Sequence, residues 1–143
     1  MLVDIAEHHA NLVPWQMLSE RHGIIIEWID LDANFEYDMD DFKKKYIHAS
    51  DANRVKVVSI SAASNVTGRI YNLEGIASLL RPETFFVVDG SQAIPHVSVA
   101  DYDCNARIDA LIATGHKTMS DTGIGMLALR KPHIKALKPA RGG

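Results

Sequence analysis

Cysteine is almost absent from this chain, with Cys104 alone among 143 residues. No disulfide can therefore close within it, which fits a reducing compartment, and a cytoplasmic location is expected. Basic tracts are missing as well. The 15 Lys and Arg residues are scattered among 18 Asp and Glu, for a net charge of −3, so there is no electrostatic footprint for nucleic acid. No apolar run reaches the roughly 18 residues that a membrane-spanning helix requires. The N-terminus has no basic region leading into a hydrophobic stretch, so no secretion signal is read there. Repeats and low-complexity segments are also lacking, and no metal site is expected.

What remains is 47% hydrophobic and long enough for one domain with a core. Ala10 to His22 reads as a helix with Trp15, Met17 and Leu18 among its apolar positions, closed by Gly23. Ile24 to Ile29 reads as a β-branched strand and Asp30 to Asp38 as a polar connection. Asp38 to Tyr46 reads as a short helix. Asp38 caps it, acids fill its first turn, and Lys43, Lys44 and Lys45 form a solvated end that complements the dipole. Strands are expected at Val55 to Ser61, Phe85 to Val88, Ile108 to Ala113 and Ile124 to Leu129. Helices are expected at Leu73 to Leu80, ended by Pro82, and at Pro132 to Leu137, before a loop-like tail from Lys138. This alternation predicts an α/β fold, a mostly parallel sheet flanked by helices with right-handed crossovers.

Two of the strands end alike. Phe85-Phe86-Val87-Val88 runs directly into Asp89, and the run from Ile108 to Ala113 runs into Thr114-Gly115-His116-Lys117. Ligands of open α/β sheets sit outside the carboxyl ends of strands, so the two polar endings point to one shared site. An amine that is to bond covalently to a carbonyl must be neutral, although lysine ordinarily titrates near 10.4. Burial or neighbouring positive charge achieves this, and His116 with the apolar strand before Lys117 supplies both. A carboxylate such as Asp89 stabilises the protonated form of a basic ring nitrogen. Taken singly, these residues also have plainer readings. Asp89 could cap a helix or ligate a metal, His8 and His9 could cap a helix or lie on the surface, Asn65 and Gln92 could satisfy turns, and Lys117 could be solvated. Thr122-Gly123-Ile124-Gly125 could be a turn into the next strand.

Five stretches taken together resemble the class V aminotransferase family of pyridoxal-phosphate enzymes, and within it the SufS-like cysteine desulfurases. They are Glu7-His8-His9-Ala10-Asn11-Leu12-Val13-Pro14-Trp15-Gln16, Ser64-Asn65-Val66-Thr67-Gly68, Val88-Asp89-Gly90-Ser91-Gln92-Ala93, Thr114-Gly115-His116-Lys117 and Thr122-Gly123-Ile124-Gly125. The resemblance implies pyridoxal 5′-phosphate as cofactor, with His8 stacked on its ring and moving protons. It implies Asn65 near the phenolic oxygen and the substrate, Asp89 at the ring nitrogen, and Gln92 bonded to the phenolic oxygen. Thr114 and His116 would bind the phosphate. Lys117 would hold the cofactor covalently and then act as the base at the substrate's α-carbon.

The implied activity converts L-cysteine to alanine and passes the sulfur on for iron–sulfur cluster assembly, through a sulfur-acceptor protein and from a homodimer. Residues 1–143 would be part of the large cofactor-binding domain. An upstream segment, a C-terminal small domain with the arginine for the substrate carboxylate, and the sulfur-accepting cysteine would lie elsewhere, leaving this chain inactive alone. Cys104 leads into a strand rather than ending one, and reads as structural. Met119-Ser120-Asp121 stands where relatives commonly carry Gly-Pro, and Ala62 where many have a histidine. An acid near the phosphate loop would repel phosphate. Two other readings stay open: another class V enzyme (a selenocysteine lyase, a kynureninase-like hydrolase or a serine-type aminotransferase), or a non-catalytic scaffold.

Overall fold

Apolar segments too short for helices pair edge to edge in this chain, and the computed structural model describes the result over residues 1–47, 54–98 and 107–137. The strands are β1 Leu2–Asp4, β2 Glu27–Ile29, β3 Val57–Ser61, β4 Phe85–Asp89, β5 Ala110–Thr114 and β6 Gly125–Leu129. They form one sheet in the order β2-β1-β3-β4-β5-β6. The first five are parallel, and β6 runs antiparallel to β5. The connection from Thr114 to Gly125 is too short for a crossover helix, so a hairpin is the geometry left to it. Helices α1 His9–His22, α2 Met39–Tyr46, α3 Leu73–Ala77 and α4 Lys131–Ile134 follow β1, β2, β3 and β6. The mostly parallel α/β architecture expected from the alternation is thus the one observed.

Period-two alternation gives the sheet two different faces. Leu2, Ile29, Val58, Ile60, Phe86 and Val88 join Phe42 and Tyr46 of α2 and Leu73 and Ile76 of α3 in one hydrophobic core. Each such side chain contributes roughly 1.5–3 kcal/mol by leaving water. On the other face Ser59 meets α1, where Trp15 Nε1 donates to Ser59 Oγ at 3.2 Å. That contact is polar, and α1 is only lightly covered. Met17 is exposed and Trp15 and Leu18 are half-buried, so the apolar positions expected of this helix do not face a core, and its buried residue is Asn11.

Several element ends differ from expectation for local reasons. The strand expected from Ile24 is formed only from Glu27, because its partner β1 pairs from Leu2, opposite Glu27, and Ile24 and Ile25 stay exposed. The helix expected to reach Leu80 regularises only to Ala77. Beyond it, Leu79 N bonds to Ile76 O and Leu80 N to Ala77 O, a tightened last turn ahead of Pro82. Asp38 does cap α2, its carboxylate accepting from Asp40 N at 3.0 Å and Asp41 N at 2.9 Å. Lys45 is not merely solvated, since its ammonium donates to Trp28 O at 2.7 Å and Asp41 Oδ2 at 2.6 Å. Strand β1 was not anticipated at all, being too short to show a period. Cys104 and the tail from Lys138 lie outside the described residues.

Candidate active site

The strand order reverses beside β1, with β2 to one side and β3 to the other, and such a switch point opens a crevice at the carboxyl ends of the strands. A cavity of about 160 Å³ lies there, lined by His8, Ala10, Ser61, Ala63, Asn65, Asp89, Ser91, Gln92, Thr114, His116 and Lys117. All seven residues singled out in the sequence line it. His8 follows β1, Asn65 follows β3, Asp89 ends β4 with Gln92 in the turn beyond, and Thr114 ends β5 ahead of His116 and Lys117. The structure therefore joins segments more than a hundred residues apart in sequence at one cavity.

Each side chain is held by its local geometry. Asp89 is 8% exposed, and its Oδ1 accepts from Ser91 N at 2.9 Å. Ser61 lies beside it in register on β3. Asn65 sits in a turn that Ser64 organises, with Ser64 Oγ accepting from Val66 N and Thr67 N. Gly68 closes this turn at φ 71°, a conformation that suits glycine. Thr114 Oγ1 and His116 Nδ1 are 2.9 Å apart. Gly115 between them approaches the backbone of Ile124 closely, and a Cβ on it would lie 3.1 Å from Ile124 O. That contact fixes the direction in which the short 3₁₀ turn Gly115–Thr118 delivers Lys117, which is half-buried.

His8 satisfies the plain reading and the functional one together. Its Nδ1 accepts from Ala10 N at 3.1 Å, capping α1, while its ring lines the cavity. A capping Nδ1 carries no proton, so Nε2 holds the hydrogen of the neutral ring.

A buried polar group behind the cavity went unrecognised in the sequence. Glu7 is 9% exposed and Asp4 is fully buried. Glu7 Oε2 accepts from Ser61 Oγ at 2.9 Å and His8 N at 3.2 Å, and Oε1 accepts from Asn11 Nδ2 at 2.6 Å. Asp4 Oδ2 accepts from Ser61 N at 2.9 Å and Tyr37 Oη at 3.1 Å. Burial first, and the charge of Asp4 next, push the Glu7 carboxyl up to about 9, so that it is neutral at physiological pH. Burial likewise raises Asp4 and carries the Tyr37 hydroxyl well above its ordinary range. Glu7 stands at the head of the His8 motif, and its position there was the one available signal. Asp121 and Ala62 do not line the cavity, Ala62 being buried in the core.

The donor set suits an aromatic aldehyde phosphate. A buried carboxylate stands for a ring nitrogen, a primary amine for the aldehyde, and a hydroxyl with an imidazole for the phosphate. Among the described residues no cluster of three or more metal-ligating side chains occurs, and no helix is long and apolar enough to cross a membrane.

An open, mostly parallel sheet with an amine and a carboxylate at neighbouring strand ends defines the class, and comparison with known proteins gives the family. The aminotransferase class V model matches residues 1–143, and the chain belongs to this family. It is 36% identical over 146 residues to a probable cysteine desulfurase of Xylella fastidiosa, covering 100% of this chain and 33% of that protein. Among solved structures it is similar to the cysteine desulfurase CsdA of Escherichia coli, with TM-score 0.85 and 31% identity over 99% of this chain and 34% of that one. It is similar also to a cysteine desulfurase of Thermococcus onnurineus, with TM-score 0.82 and 32% identity at the same coverage. The chain spans about a third of the length of the curated relatives it matches.

Proposed function

We propose that this chain provides the pyridoxal-phosphate-binding part of a cysteine desulfurase, within the large domain of that enzyme. One observation carries the reading: Asp89, Lys117, Thr114, His116, Gln92, Asn65 and His8 line a single cavity, in a chain matched over its whole length by relatives named as cysteine desulfurases. Bound there, pyridoxal 5′-phosphate supplies an electron sink for negative charge at the substrate's α-carbon.

The chain's own residues then divide the work. Asp89 keeps a proton on the ring nitrogen, its carboxylate stabilising the cationic form. Gln92 would donate to the phenolic oxygen, and Asn65 would lie near that oxygen and the substrate. Thr114 and His116 hold the phosphate. His8 covers the ring and, with Nδ1 committed to the helix cap, exchanges protons through Nε2. Lys117 would be the amine that holds the cofactor, and as a free amine it would serve as the base at the substrate's α-carbon. L-cysteine is the proposed substrate, and its sulfur passes to a thiol as a persulfide, leaving alanine and supplying iron–sulfur cluster assembly through an acceptor protein. Among the described residues no cysteine or arginine lines the cavity, so none of them supplies a sulfur-accepting thiol or a clamp for the substrate carboxylate there. A homodimer and a cytoplasmic location belong to the same proposal.

Addition of pyridoxal phosphate to the chain tests this reading. A visible absorbance band that is lost in Lys117→Ala, with no alanine formed from L-cysteine, is expected. No band in the parent chain, or an identical band in Lys117→Ala, would overturn it.

A further inference from the structure

Glu7 reaches both sides of the cavity with one side chain. Its carboxyl takes donors from three places: His8 N in its own turn, Asn11 Nδ2 on α1, and Ser61 Oγ at the end of β3. His8 and Ser61 both line the cavity, and Ser61 is the register neighbour of Asp89. The crevice between β1 and β3 is thus spanned by one side chain.

The network continues without a gap. Asn11 Oδ1 accepts from Trp15 Nε1 at 3.0 Å and from Ser59 Oγ at 3.1 Å. The indole is a donor only, so it fixes the orientation of the Asn11 amide and leaves Nδ2 to face Glu7. The bonds from Trp15 Nε1 to Asn11 Oδ1 and from Asn11 Nδ2 to Glu7 Oε1 therefore each have a defined direction. Buried polar networks of this kind are costly unless fully satisfied, and when satisfied they specify one arrangement. The rest of α1 offers little to specify it, since Met17 and Val13 are exposed and Asn11 is its buried residue.

We propose that Glu7 is a positioning residue, which registers the helix start bearing His8 against Ser61 and Asp89 at the ends of β3 and β4. It acts through its neighbours and lines no part of the cavity itself. Being neutral, it adds no charge to those of Asp4 and Asp89, and this permits three close carboxyl groups in one place.

The apo chain gives a first readout that does not depend on the cofactor. Amide hydrogen exchange at His8 and Ala10 is expected to be about tenfold faster in Glu7→Ala, corresponding to ~1.4 kcal/mol of lost local protection. The amides of Ile60 and Val88 keep their rates, and Glu7→Gln restores most of the protection. Parent-like exchange at His8 and Ala10 in Glu7→Ala overturns the proposal. The second readout rests on the pyridoxal phosphate reading. Glu7→Ala is expected to bind the cofactor about tenfold more weakly and with less visible circular dichroism per bound molecule, both rescued by Glu7→Gln. Unchanged affinity and dichroism overturn the proposal. Where Glu7→Ala does not fold, Ser61→Ala cuts the same link from its other end. It is expected to shift both readouts in the same direction, and parent values there overturn the proposal. A parent chain that binds no pyridoxal phosphate defeats the cofactor reading, while the exchange comparison still decides the role of Glu7.

Discussion

Replacing Glu7 with Gln makes the stability of this chain respond differently to pH, and the sign follows from where its proton resides. The folded carboxyl titrates at about 9 against an ordinary value of 4.5, because burial and the nearby charges of Asp4 and Asp89 favour the neutral acid. Between those two values the folded chain holds a proton that the unfolded chain has released. Its stabilising contribution is complete below the unfolded value and is lost as pH rises toward about 9. One full proton corresponds to ~1.4 kcal/mol per pH unit. From about pH 5.5 to about pH 7.5 the contribution of Glu7 falls by roughly 2.7 kcal/mol, an upper figure for a single group. Gln does not titrate, so this slope disappears from the variant. Gln carries two N–H donors where the neutral acid has one O–H, at a small pH-independent cost of about 0.5 kcal/mol.

The parent should therefore be the more stable protein at the lower pH, and its advantage should shrink or reverse at the higher one. Urea unfolding followed by circular dichroism at both pH values measures this, with equal slopes against urea confirming that the same surface is exposed. Titrating groups remote from Glu7 are common to both proteins and largely cancel in the difference, whereas Asp4, which interacts with Glu7, contributes to it. A difference between parent and variant that does not change with pH would refute the reasoning, because Glu7 would then be ionised in the folded chain.

Two further outcomes follow from backbone geometry. Met119 holds φ 60° with a fully exposed side chain, so Met119→Gly removes left-handed strain at no packing cost and should raise stability by about 0.5–1 kcal/mol. A lower urea midpoint in that variant would contradict the assignment. Asp38→Ala leaves Asp40 N and Asp41 N without their acceptor and should cost about 1 kcal/mol, visible as a lower urea midpoint with an unchanged slope.

The parallel sheet was legible because β3, β4 and β5 are apolar runs bounded by polar turns, and because Asp89 and Lys117 follow two of them directly. Capping by Asp38 and Gly23 was legible for the same local reason: the signal lies within four residues of the structure it makes. Strand β1 was not, since Leu2-Val3-Asp4 is too short to show a period, and its place between β2 and β3 is decided by pairing partners far along the chain. The antiparallel course of β6 depends on the length of a connection rather than on the strand's own residues. Glu7 and Asp4 were missed because a buried acid looks, in sequence, like an exposed one. Only the donors that gather around it, from Ser61 and Tyr37 to Asn11, distinguish the two. The resemblance placed His8 over a ring, and the structure adds that the same imidazole caps α1.

The central claim is that Lys117 is the amine of a pyridoxal phosphate site, and reductive trapping tests it most directly. The chain is mixed with pyridoxal phosphate, reduced with borohydride, digested, and the modified peptide located by mass spectrometry. The account predicts one modified lysine, Lys117, with labelling strongly reduced in Asp89→Asn and absent at that position in Lys117→Ala. Labelling spread over the surface lysines such as Lys43 and Lys44, with Lys117 no more modified than they are, would contradict it.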